Sequence, residues 1–385
     1  MGRFLFSSVN FPLPFSQMPS STLSFCLSNP CLRLSSSRSY GGPQRGFCSP
    51  RLSNTTSTRM LCTRAVLSEV PNQKQYPKIG AQSMGPVPLN QLLQVVESAA
   101  KSGAEVVMDA VNKPRNVTYK GLTDLVTDTD KMSEAAILET VRKNFSNHLI
   151  LGEEGGVIGD TSSDYLWCID PLDGTTNFAH CYPSFAVSVG VLFQGKPAAA
   201  AVVEFSGGHM CWNTRIFSAT AGGGAFCNGE KVHVSQTDKV EQSLLVTGFG
   251  YEHDDAWATN MELFREFTDI SRGVRRLGAA AVDMCHVALG VVEGYWEFRL
   301  KPWDMAAGVL IVEEAGGTVT RMDGGCFSVF DRSLLVSNGP LHPKVDLFSF
   351  LFPQVSIILG VTYKIFYEWD CDRLVHVKHN VHVYP

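Results

Sequence analysis

From residue 89 onward, short apolar runs of strand length alternate with longer segments of helical periodicity, and few architectures can bury both kinds of surface at once. Leu92, Leu93, Val95, Val96, Ala99, Ala100, Val106 and Val107 recur along one helical face, which predicts a long amphipathic helix opening the folded region. A second helix is expected over 128–145 and a short strand over 149–151. Another strand is expected over 165–169, then a hairpin pairing 185–193 with 198–205 around Gln194-Gly195-Lys196. Further along come strand 243–247, helix 256–270, helix 279–289, strand 295–298, helix 305–315 and strand 318–321, with a tight turn at 222–224. No internal repeat is present. Interleaving of this kind predicts an α/β fold in layers, with both faces of its sheets covered.

The charges divide the chain differently. Residues 1–68 hold no Asp or Glu but seven Arg and fifteen Ser, and the first acid is Glu69. An acid-free, Arg- and Ser-rich start without a long apolar core has the composition of an organelle transit peptide, favouring a plastid over a mitochondrion. Residues 1–64 are therefore read as leader, cleaved around Thr63-Arg64-Ala65, with the mature protein in the chloroplast stroma. Residues 65–88, with four prolines, are read as linker. Removing the leader leaves 25 basic against 37 acidic residues, a balance that disfavours nucleic acid as a partner. Eleven cysteines in 385 residues are too few for a disulfide scaffold, and none has zinc-ligand spacing. Cys168, Cys181, Cys211, Cys227, Cys285 and Cys326 are read as small core residues.

Against that background four groups of acids stand out. Glu153 and Glu154 follow the strand 149–151. Asp170 and Asp173 lie in a DPxDG turn. Asp124, Asp128 and Asp130 lie in LVTDTD, and Asp304 precedes an apolar helix. Singly, each has an ordinary explanation as a loop acid, a turn former or a helix cap. Together they place carboxylates at strand and helix ends, where α/β folds build ligand sites, with no basic run nearby to neutralise them. Converging carboxylates recruit a cation, and an all-oxygen donor set suits Mg²⁺. A helix starting at Thr175 and Thr176 would offer backbone N–H groups to a phosphate beside that cation.

The segments LGEEG (151–155), DPLDGTTNFAH (170–180) and LKPWDMAAGVLIVEEAGG (300–317) resemble the three signatures of the inositol monophosphatase family. The resemblance runs from about residue 89 to 344, marking that stretch as the phosphatase domain. It implies an αβαβα sandwich, usually a homodimer, and a Mg²⁺-dependent, lithium-sensitive phosphatase of sugar or polyol phosphates. Carried over position by position, it puts metal ligands on Glu153, Asp170, the carbonyl of Leu172, Asp173 and Asp304, with Glu154 behind them. The same resemblance puts the water-activating pair on Asp130 and Thr175, a phosphate cradle on Gly174 and Thr175, and substrate hydroxyls against Gly278, Ala279, Ala280 and Glu297, with Glu153 also near the substrate. The chemistry implied is direct attack by water, helped by one metal, while a second stabilises the leaving alkoxide.

Two features depart from the family pattern. Cys181 stands where relatives carry Gly or a larger polar residue. Residues 345–385 do not continue the expected terminal helix; 347–363 is a charge-free apolar stretch that Pro353 and Gly360 interrupt, so a membrane span is not favoured, and His376, His379 and His382 are read as solvated rather than metal-binding. The leading function is hydrolysis of inositol monophosphate to myo-inositol and phosphate, with galactose 1-phosphate as a second substrate. The alternatives are a histidinol-phosphate phosphatase and, from another class, an inactive metal-binding or assembly protein.

Overall fold

The computed structural model describes residues 76–82 and 85–346. The expectations for the leader, for the first part of the linker and for the tail from 347 lie outside the described residues. In chain order the elements are α1 (Leu89–Ala110), β1 (Val117–Tyr119), β2 (Leu125–Thr127), α2 (Asp128–Asn144), β3 (Leu149–Gly152), β4 (Gly156–Ile158), β5 (Tyr165–Asp173), α3 (Thr175–Ala179) and β6 (Phe185–Phe193). Then come β7 (Lys196–Ser206), β8 (Asn213–Thr220), β9 (Gly224–Cys227), β10 (Glu230–Lys231), β11 (Leu244–Thr247), α4 (Asp255–Ile270) and β12 (Gly273–Arg275). The last are α5 (Ala280–Ala288), β13 (Gly294–Phe298), α6 (Pro302–Glu314), β14 (Thr318–Thr320) and β15 (Ser333–Ser337).

An eight-stranded sheet runs β10-β9-β8-β7-β6-β5-β3-β4, and a five-stranded one runs β12-β11-β13-β15-β14. Alternation along β5 sorts its side chains between two cores, because successive residues of a strand point to opposite faces. Trp167 and Ile169 join α1 and α2 on one face. Cys168 faces the other side, in a core with α5, α6 and one face of the small sheet. The same alternation on β13 sends Tyr295 into that middle core and Trp296 into a third, against Leu263 and Phe267 of α4. The layers are therefore α1/α2, large sheet, α5/α6, small sheet and α4: the αβαβα sandwich.

Small residues let the middle layer approach closely. A Cβ on Gly190 of β6 would fall 2.9 Å from the backbone of Ala306, so α6 lies directly on the strand there. Residues 76–82, expected as linker, are packed rather than free: the N–H groups of Ile79 and Gly80 donate to Glu313 (2.6 and 2.8 Å), and Ala81 N–H donates to Pro197 O at 2.8 Å. The Tyr76 hydroxyl donates to Asp346 Oδ2 (3.1 Å), and its ring meets His342 edge-on at 4.6 Å. The reading of six core cysteines holds for Cys168 and Cys285 alone; Cys211 and Cys326 are exposed, and Cys181 and Cys227 lie between. Cys211 sits on the connection between β7 and β8, where its side chain is left at the surface beside Trp212, which packs inward. Among the described residues no helix is long and apolar enough to cross a membrane.

Candidate active site

The site begins with an irregularity in β5. Asp170 pairs with Ser188 of β6 and Asp173 with Ala186, so three steps along β5 match two along its partner. In a regular strand residues three apart face opposite ways; the bulge turns both carboxylates to the face that carries Ser188 and Ala186, under the middle helices. Asp170 is 2% exposed and its Oδ1 accepts the Leu172 N–H at 3.0 Å. Asp173 accepts from the N–H groups of Ala280 (3.1 Å) and Ala281 (2.7 Å) in the first turn of α5. These bonds hold the Gly278–Ala280 segment, expected to meet substrate hydroxyls, against Asp173.

Gly174 then turns the chain into α3 with φ of 84°, in a left-handed conformation that suits glycine. A Cβ there would also lie 2.9 Å from Ser184 O. Thr175 follows, its hydroxyl 3.0 Å from both Asp130 Oδ1 and Leu172 O. Asp130 is aimed by its place in α2. Thr127 is the N-cap, and Asp130, three residues on, accepts from the Thr127 N–H (2.9 Å) and hydroxyl (2.5 Å) through Oδ2, leaving Oδ1 for Thr175. Ser133 ties α2 to the turn by donating to Pro171 O at 2.8 Å.

Glu153 and Glu154 arrive from the end of β3. Both accept from Lys120, at 2.9 and 2.5 Å. Lys120 sits in the β1–β2 hairpin, and the sequence reading missed it along with the hairpin itself. The hint available was its position shortly before LVTDTD. Asn177, also unforeseen, donates to Ser184 O (2.6 Å), Leu277 O (2.7 Å) and Gly278 O (3.3 Å), clamping the loop before α5 onto α3. Asp304 is not an N-cap, as its position before the apolar run suggested; α6 starts at Pro302, and Asp304 in its first turn accepts the Lys301 N–H at 2.6 Å. Glu297 of β13 accepts from the Tyr295 hydroxyl and fills the space above Gly248, where a Cβ would clash with its carboxylate.

Among the described residues no three His, Cys, Asp or Glu side chains are gathered closely enough to chelate a metal as they stand. Glu153 is turned to Lys120, Asp173 to α5 and Asp304 to Lys301. Their fields nevertheless meet. Burial pushes Asp170 well above the usual carboxylate range, and Glu153, Asp173 and Asp304 push it further. Burial raises Asp173 to about 7, against the N–H bonds from α5 that oppose the shift. Asp304 is raised by burial and then by Glu153, Asp173 and Glu297. Burial raises Asp130 as well. Carboxylates that raise one another in this way form an oxygen donor set with excess negative potential, which a hard divalent cation relieves.

The sequence profile of the inositol monophosphatase family matches residues 89–347. The chain belongs to the inositol monophosphatase family. As a family member it is similar to the chloroplastic phosphatase IMPL1 of Arabidopsis thaliana, 73% identical over 90% of this chain and 92% of that protein. The solved inositol monophosphatase of Anabaena (Nostoc) sp. PCC 7120 is 37% identical with a TM-score of 0.60, matching 70% of this chain and 99% of that one. A solved IMPase/NADP phosphatase complexed with Mg²⁺ and phosphate is 25% identical with a TM-score of 0.58, matching 67% of this chain and 95% of that one. Membership of the inositol monophosphatase family makes this a phosphomonoesterase-type protein of a typically Mg²⁺-dependent family.

Proposed function

We propose that the protein hydrolyses monophosphates of cyclic polyols and sugars, inositol monophosphate first and galactose 1-phosphate second. The observation that carries this reading is the Thr175 hydroxyl, 3.0 Å from both Asp130 Oδ1 and Leu172 O, where Leu172 stands between Asp170 and Asp173, whose carboxylates share a field with Glu153 and Asp304. Those four carboxylates and the Leu172 carbonyl are the groups that would hold Mg²⁺, which supplies positive charge against phosphoryl oxygens and makes water more acidic. The donor set fits that ion, since it contains oxygen alone and no sulfur or imidazole.

The chain's own residues do the rest. Asp130, fixed at Oδ2 by Thr127, draws a proton from the attacking water through the Thr175 hydroxyl. Backbone N–H groups of Gly174 and Thr175 hold the phosphoryl oxygens. Glu297 accepts hydrogen bonds from ring hydroxyls, and the Gly278–Ala279 loop, pinned by Asn177, bounds the ring. Lys120 steadies Glu153 and Glu154 from the hairpin side.

Asp173→Asn tests the assignment. Turnover of inositol 1-phosphate with Mg²⁺ is expected to fall about thousandfold, with the circular dichroism spectrum unchanged; turnover within about tenfold of wild type overturns it. The acid-free first 68 residues, and the chloroplastic relative whose match over nine-tenths of the chain runs into them, support a plastid location. A fluorescent fusion carrying those residues should enter the plastid, and a cytosolic signal contradicts that.

A further inference from the structure

One cation at the site is left unused by this reading. Arg276 is exposed on the loop between β12 and α5, and among the described residues it makes no hydrogen bond or ion pair. Its guanidinium is nevertheless in a defined place. Gly278 has φ of 82°, and a Cβ on it would fall 2.3 Å from Arg276 Nη1, so the fork rests where any other residue at 278 would intrude. The loop beneath is fixed by Asn177 and by the N–H bonds from α5 to Asp173. Below it lie Glu297 and Asp283, both within the field of Arg276; Asp283 is fully buried, and neither of its oxygens has a hydrogen-bond partner. These carboxylates attract the guanidinium without occupying its N–H groups. Tyr251, 55% exposed, lies within the same field of Arg276.

The neighbourhood is otherwise acidic, and the scissile phosphate has its own cradle at Gly174. Gly278 O lies 3.2 Å from where a Cβ on Gly174 would be, so the loop carrying Arg276 abuts that cradle. A guanidinium offers five donors in a plane, matched to two oxygens of one anion, and a neutral ring hydroxyl uses that fork poorly. Resting on the proposed phosphatase reading, we infer that Arg276, with Tyr251 beside it, recognises a second phosphate on the leaving-group ring, so that sugar bisphosphates are preferred over the matching monophosphates.

Glucose 1-phosphate and glucose 1,6-bisphosphate differ only in that group. With the full-length protein and Mg²⁺, release of the 1-phosphate is expected to show a KM about tenfold lower for the bisphosphate. Arg276→Ala should erase that advantage while leaving KM for glucose 1-phosphate within about threefold and kcat unchanged, Arg276→Lys should restore part of it, and Tyr251→Phe should weaken it. Glucose 6-phosphate, the product that keeps the second anion, should raise the melting temperature of wild type and not of Arg276→Ala. Equal KM values in wild type overturn the inference, as does an equal loss on both substrates in Arg276→Ala, which would put the side chain on the scissile phosphate or in the scaffold. If wild type hydrolyses neither these esters nor inositol 1-phosphate, the phosphatase reading itself falls; if it hydrolyses all three without preference, the inference alone falls.

Discussion

Glu297 has a cost as well as a use. Burial lifts it to about 7, with the hydrogen bond from Tyr295 opposing the shift. A carboxyl whose folded pKa exceeds its unfolded value binds its proton more tightly in the native state, so its favourable contribution is complete below the ordinary carboxylate range, near pH 4.5, and lost as pH rises through about 7. In metal-free buffer Glu297→Gln should therefore stabilise the protein by about 1–3 kcal/mol at pH 8 and by almost nothing at pH 4. Urea melts at the two values check this; a gain of equal size at both would show that packing, and not charge, sets the effect. The same variant should weaken substrate binding, since a carboxamide accepts hydrogen bonds less strongly than a carboxylate. Function and stability thus pull this side chain in opposite directions.

The N-terminus of α2 performs two tasks with one residue pair. Thr127 caps the helix and, through its N–H and hydroxyl, fixes the Asp130 oxygen that does not face Thr175. Thr127→Ala should cost about 1 kcal/mol of stability and lower kcat about tenfold with KM nearly unchanged, measured on inositol 1-phosphate; a loss of stability alone would separate the two tasks. The sequence announces this helix and α1 because one buried face imposes a helical period, plainest over residues 92–107, and it announces the β6–β7 hairpin differently, as two apolar runs around Gln194-Gly195-Lys196 that are buried on both faces. It does not announce β1, all of whose residues are exposed, and with that hairpin Lys120 is lost from view. It also conceals the β5 bulge. DPLD has the composition of a turn, and only the register against β6 reveals that Asp170 and Asp173 share a face. The acids themselves were visible as residue types with a shared chemical need; their positioning by Asn177 and Ser133 depends on contacts far apart in sequence, which leave no local pattern.

At the scale of the molecule, the proposed metal ligands come from the ends of β3 and β5 in the large sheet and from the start of α6 in the layer above it. Unfolding separates them, so cation binding and folding are linked. Mg²⁺ at about a hundred times its dissociation constant should stabilise the fold by about 2.7 kcal/mol, a rise of about 5–10 °C in melting temperature that chelation reverses. An unchanged melting curve would mean that the carboxylates take no cation. Away from these ligands in sequence, the side chains of Tyr76 and Asp346 meet and bring the two ends of the described fold together. Between those two residues the backbone is already almost a ring. A short peptide could join them, and the chain could be cut instead in the glycine turn between β8 and β9 without parting any layer. Such a circular permutant would keep the order of its neighbours in space while changing which element is made first, so the present start of the fold is a matter of reading direction rather than of architecture.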